Sequence, residues 1–277
     1  MKKSLHLLLF GALLLSSCSD YNSVLKSTDI DYKYEAAKQY YFQGSYTQAS
    51  TVLIDLLAAT KGTDRAEEAL YLLGMSALKD RDYDAAHSYF KKYYETYPRG
   101  FYVEEARLNA GRALFESTPE PRLDQSATYK AITEFQNFIE NYPHSKHRDE
   151  ATRLIFELQD KLIEKEYLAA KQYFDLGTYF GNSTMGGSNY QACIVTAQNA
   201  INDYSYSPRR EDFAILILRS KFELAAQSVE EKKAERYQNA VDEYYGFVNE
   251  YPQSKFLGKA NALFAKAKPY VKTTEEE

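Results

Sequence analysis

The residue most plainly set up for chemistry is Cys18. It closes the run Leu15-Ser16-Ser17-Cys18, behind a mostly apolar stretch from Leu5 to Leu15 and the two cations Lys2 and Lys3. That order is the mark of a bacterial lipoprotein signal: the peptidase needs small side chains beside the bond it cuts, and the acyl transferase needs a thiol. Residues 1–17 are the expected signal peptide, Cys18 the expected lipidation site and residues 18–30 a lipidated tether. Several acyl chains on one cysteine hold a protein stably on a membrane. The apolar stretch itself is too short to span one.

Other chemistry-bearing residues converge poorly. His144 and His147 flank a helix start after Pro143, with no cysteine or third histidine nearby. A zinc site needs three or four converging ligands, so solvated helix-start residues are the better reading. Cys193 falls where a helical repeat wants a small side chain, which makes it a buried structural thiol; with Cys18 lipidated it has no disulfide partner. The Gly- and Ser-rich stretch 178–189 has no Gly-Lys-Ser/Thr, so it is a loop and no phosphate cradle. Paired carboxylates such as Glu67-Glu68, Glu104-Glu105 and Glu230-Glu231 read as solvated helix faces. Nothing here asks for catalysis, a cofactor or a metal. Removal of Lys2 and Lys3 leaves 260 residues and moves the net charge from −5 to −7, which argues against nucleic acid as a partner.

The elements that position these residues announce themselves by repetition. Tyr97-Pro98, Tyr142-Pro143 and Tyr251-Pro252 are each followed, eight residues after the Pro, by Ala106, Ala151 and Ala260. Twelve residues before each Pro stands Ala86, Ala131 or Ala240; eight before, Phe90, Phe135 or Tyr244; five before, Tyr93, Phe138 or Phe247. Such a register resembles the tetratricopeptide repeat, about 34 residues long. Small Gly74 and Ala86 let paired helices approach, aromatics fill the space toward the next pair, and Pro98 ends the second helix. A single hairpin cannot bury both faces, so hairpins must stack. The expectation is an all-α solenoid of about five helical hairpins. The first spans 31–60, the second 67–98, and the third starts near Glu104 with extra residues at 116–125. The fourth begins near Asp149 with a long helix whose later register pairs with 191–204. The fifth pairs 212–226 with 235–251, a closing helix covers 255–268, and residues 271–277 form an acidic, disordered tail.

First helices of successive hairpins line one face. The template points Tyr34, Lys38 and Tyr41 onto it from the first hairpin, Tyr71, Met75 and Leu78 from the second, and Leu108, Arg112 and Phe115 from the third. Tyrosines and a methionine give an adaptable apolar surface with polar tips, and Lys38 and Arg112 suit a carboxylate. An extended peptide with aromatic side chains and a free C-terminus fits that chemistry. Packing of several of these tyrosines between neighbouring helices is an equal alternative.

At this point the chain resembles the BamD family, the lipoproteins of the outer-membrane β-barrel assembly machinery. The likeness rests on the lipobox followed closely by a first repeat and on the linker inside the third hairpin. After it come Asp124-Gln125, Ala131-Ile132, Phe135, Phe138-Ile139 and Tyr142-Pro143-x-Ser145. The fourth hairpin adds Ala151, Arg153-Leu154, Leu158, Leu162, Lys165-Glu166-Tyr167, Ala170 and Tyr173. The resemblance implies a protein on the periplasmic side of the outer membrane. Its N-terminal repeats (31–143) would engage the C-terminal targeting strand of unfolded outer-membrane proteins. Its C-terminal repeats and capping helix (144–270) would serve as scaffold for a BamA-like barrel-forming subunit, alongside other assembly lipoproteins. The stretch 178–189 and a spacer at 228–234 are longer than that family leads one to expect. Two other readings stand beside it. One is a different envelope repeat adaptor, serving cell-wall remodelling or the Tol-Pal system. The other is an enzyme whose site is built by the inserted loops around Pro119 and Gly186, which a deep pocket with buried ionisable groups would betray.

Overall fold

The computed structural model describes residues 20–179 and 188–271. Cys18, most of the stretch 178–189 and most of the tail 271–277 lie outside them. The described residues are all-helical, with no strand among them. Helix α1 covers residues 20–26. Then follow α2 (Ile30–Phe42), α3 (Tyr46–Ala59), α4 (Asp64–Lys79), α5 (Tyr83–Thr96), α6 (Val103–Ser117) and α7 (Ser126–Asn141). The chain continues through α8 (Arg148–Leu176), α9 (Asn189–Asp203), α10 (Arg210–Ala226), α11 (Glu230–Glu250) and α12 (Leu257–Ala267), with a closing 3-10 turn at Lys268–Tyr270. These are the tetratricopeptide-like hairpins and capping helix that the register predicts.

Two compact units divide the chain. One holds the residues up to Pro119 together with Asp124–Leu158; the other holds Glu120–Leu123 and the residues from Gln159 onward. The division falls inside α8, between Leu158 and Gln159. Pro143 ends a hairpin, but the first turns of the following 29-residue helix still belong to the first unit.

In the first unit each helix from α2 to α7 packs on its sequence neighbours, and α2 also touches α4. The small and aromatic register positions are where stacking needs them: Ala86, Phe90, Tyr93, Ala106, Ala131, Phe135, Phe138 and Ala151 are all fully buried. Gly74 and Gly111 let the second-helix aromatics in. A Cβ on Gly74 would stand 2.7 Å from the Phe90 ring, and one on Gly111 2.7 Å from the Phe135 ring. The turns joining first to second helices close with a residue in the left-handed region, Gly44 (φ 78°) and Arg81 (φ 64°). At both, the six-residue bond that caps a helix C-terminus is made, from Ser45 N to Tyr40 O and from Asp82 N to Ala77 O. Residues 20–26, expected within a tether, are helical, and Val24 is buried against α2 and α3.

In the second unit Ile163 and Ala170 of α8 pack with Cys193, Ala197, Phe213 and Ile217. Cys193 is buried, as the register requires, and that burial pushes its thiol pKa up. Ala240, Phe247 and Ala260 are buried in the same register as their counterparts. Tyr244 departs from it. Counting seven residues from the helix-start glutamates Glu67, Glu104 and Glu211 reaches Gly74, Gly111 and Leu218. The bulk of buried Leu218 keeps Tyr244 half out, where it stacks on Phe264 of α12 at 4.4 Å. The spacer expected at 228–234 is mostly helix: α11 starts at Glu230, about a turn earlier than the register alone suggested.

Candidate functional site

The first unit presents one continuous row of polar and aromatic side chains from α2, α4, α6 and the start of α8. It begins at the α2–α4 junction. Tyr34 is 6% exposed, and its hydroxyl donates to the Glu68 carboxylate. Burial, reinforced by the Glu68 carboxylate, drives its pKa far above the usual phenol value. Lys38 sits 3.7 Å from Glu68 and 5.1 Å from the centre of the Tyr34 ring, so one carboxylate organises both. Tyr41 lies further along α2, half-buried against Tyr46 and Phe42 at ring distances of 5.7 and 5.5 Å.

From α4, Tyr71 lies flat on Tyr102, with ring centroids 4.3 Å apart and planes 7° from parallel. Burial first, and the nearby Glu105 carboxylate second, push the Tyr71 hydroxyl up to about 12. Asn109 of α6 joins the two helices: its amide approaches the Tyr71 hydroxyl and the Met75 sulfur, each at 3.4 Å. Asn109 also accepts from Arg112 at 2.9 Å. Arg112 spends its fork on Glu150 of α8, with Nε donating at 2.9 Å and Nη2 at 2.6 and 2.7 Å to the two oxygens. Burial alone would raise the Glu150 pKa; the Arg112 guanidinium overrides it and holds the carboxyl below its usual range.

The sequence-predicted residues thus lie in order along one face, but their roles differ from those expected. Arg112 is already engaged by a carboxylate and is not a free hook. Tyr34 is interhelical packing with only its edge reaching the surface. Leu108 is core, 1% exposed. Tyr41, Tyr71, Met75, Leu78 and Phe115 remain half-open. The sequence reading missed Glu68, Tyr102, Asn109 and Glu150. Spacing could have found two: Glu68 lies 34 residues after Tyr34, and Glu150 lies 38 after Arg112.

Past Arg112 the row opens into a cleft of about 720 Å³ between the α4–α5 turn, the end of α6 and the start of α8. Leu78, Tyr83, Phe115 and Leu154 supply apolar surface, and Lys79, Arg81, Arg153, Glu116 and Glu157 ring it. Arg112 and Glu150 also line it. Among the described residues no group of three or more His, Cys, Asp or Glu side chains is placed to hold a metal. None of their helices is long and apolar enough to cross a membrane.

A second recurring device sits where hairpins join. Ser145 donates to Glu104 and accepts from His147 N at 3.0 Å; Ser254 donates to Glu211 and accepts from Phe256 N at 2.9 Å. In the second hairpin Gly100 takes the serine's place. There the Tyr93 hydroxyl donates to Glu67 at 2.5 Å and accepts from Tyr102 N at 3.0 Å. One hydroxyl in one spot is supplied by two different residues. Gly100 makes the room, since a Cβ there would lie 2.7 Å from that hydroxyl. A fourth joint, Tyr204 to Ser207, repeats the backbone turn, with Ser207 N donating to Tyr204 O at 2.9 Å. It escaped the Tyr-Pro pattern because Ser205 replaces the Pro.

Stacked hairpins with a tyrosine-lined face put this chain among the helical repeat proteins. The sequence model of the outer membrane lipoprotein family (YfiO) matches residues 27–184. The chain belongs to this BamD-type family of outer-membrane lipoproteins. It is similar to outer membrane protein assembly factor BamD of Aquifex aeolicus (strain VF5), with 26% identity over 172 residues. That match covers 61% of this chain and 56% of the relative, so the chain aligns with little more than half of that protein's length.

Proposed function

We propose that this chain is a lipid-anchored scaffold and receptor in outer-membrane β-barrel protein assembly. In this reading the hairpins within 31–143 receive the C-terminal targeting strand of unfolded outer-membrane proteins. The hairpins and capping helix within 144–270 hold a BamA-like barrel-forming subunit and other assembly lipoproteins. Cys18 carries the acyl chains that keep the chain on the periplasmic side of the outer membrane. The observation that carries the reading is the row Tyr41, Tyr71, Met75 and Phe115, half-open on consecutive first helices. Such side chains offer a large amphipathic contact area at low entropic cost, and a series of them at repeat spacing suits an extended strand. Family membership and the relative's name supply the pathway. Depletion of the protein in its own host tests the reading: barrel proteins in the outer membrane should fall while other lipoproteins hold steady. Unchanged barrel levels, or a purified complex holding only cell-wall enzymes, would remove it in favour of the cell-wall or Tol-Pal adaptor.

A further inference from the structure

Arg112 was the natural candidate to hold a ligand carboxylate, and the structure takes it away by pairing it with Glu150. The cleft it borders retains two other cations. Arg153 is paired with Glu157, but Lys79 and Arg81 have no carboxylate partner among the described residues. Against these two cations the lining sets one unpaired carboxylate, Glu116, so its net charge is positive. Between them and the apolar surface of Leu78, Phe115 and Leu154 lies a volume inside the usual span for ligand pockets, about 300–1,000 Å³.

Arg81 carries a second observation. It is the described non-glycine residue with a left-handed backbone, φ 64°, where the corresponding turn of the first hairpin has Gly44 at φ 78°. A side chain there costs roughly 1 kcal/mol against glycine. Such strain is kept where the side chain is used, and Arg81 is exposed at the mouth of the cleft.

We infer that this cleft is the end-stop of the peptide-binding face: Lys79 and Arg81 hold the terminal carboxylate of a bound strand, and Phe115, Leu78 and Leu154 take its last, large apolar side chain. This rests on the receptor reading and adds to it a direction and a register, since a strand anchored by its terminus must run back along α6, α4 and α2 past Tyr71 and Tyr41.

The test is fluorescence anisotropy with a labelled peptide of alternating polar and apolar residues ending in phenylalanine. It is compared as free acid and as C-terminal amide, on the full chain and on a Lys79→Gln/Arg81→Gln variant. Both substitutions lie on exposed positions that leave the core untouched. The acid should bind the parent chain about tenfold more tightly than the amide, as expected for a charge-assisted contact, and the variant should bind both alike, at the amide's level. Phe115→Ala should weaken acid and amide equally. Equal binding of acid and amide by the parent chain overturns the end-stop while leaving the peptide face standing. Failure of both peptides to bind overturns the receptor reading and the end-stop with it.

Discussion

At the scale of single residues, the joint around Tyr93 shows how one interaction survives a change of the residue that makes it. The hydroxyl between Glu67 and the Tyr102 amide comes from a tyrosine five before the Pro; in two other joints it comes from a serine two after it. Tyr93→Phe should cost about 1–2 kcal/mol, because Glu67 and a backbone N–H lose a buried partner. Gly100→Ser alone should also destabilise, its Cβ meeting the Tyr93 hydroxyl. Together the two changes should cost less than their sum, since the serine hydroxyl then fills the vacated place as Ser145 and Ser254 do. Urea denaturation of the four proteins in the cycle checks this; strict additivity would mean that the two residues do not share one site.

The elements were largely legible in the sequence, and for a definite reason. Glycine, alanine, aromatic and Tyr-Pro positions mark places where two helices meet within van der Waals contact, so the register carries the stacking. Helix bounds followed from it to within a few residues. What was not legible was pairing across hairpins. Whether Arg112 is free or engaged depends on Glu150, 38 residues away, and a helical wheel for one hairpin cannot report that. The early start of α11 escaped because Glu230 to Ala234 add a polar turn with no apolar position to anchor the count. Two predictions belong here. Gly111→Ala should destabilise by about 1–3 kcal/mol, since the fully buried Phe135 ring cannot retreat from the new methyl group; thermal melts followed by circular dichroism will read it. Arg81→Gly should do the opposite and raise stability by roughly 1 kcal/mol through relief of the left-handed strain, while weakening the free-acid peptide. A stabilised protein that binds the peptide unchanged would separate the strain from any use.

At the scale of the whole molecule, tyrosine sets the response to alkali. The chain has 26 tyrosines, and burial holds several well above the ordinary phenol value. Tyr71 in the first unit and Tyr251 in the second are pushed up to about 12, Tyr251 with help from the Glu250 carboxylate that its hydroxyl donates to. A pKa raised on folding means that the folded chain prefers the protonated phenol. That contribution is fully present below the unfolded value near 10 and is lost as pH climbs through the folded one. Stability should therefore fall steeply between about pH 10 and 12, with helix loss tracking the ultraviolet signal of phenolate formation. Tyrosines that ionise near 10 with the helices intact would show that the buried hydroxyls are open to solvent.

Cys193 turns out to be a ready-made reporter. It is wholly enclosed by α8, α9 and α10, and the sequence has only two cysteines. A Cys18→Ser protein would have a single thiol, and a maleimide could reach it only when those helices part. The alkylation rate, extrapolated to zero denaturant, would give the opening frequency of that hairpin in the native state. Adding a partner and watching the rate slow would show whether the partner clamps that hairpin, with no label or extra mutation placed on the surface under study.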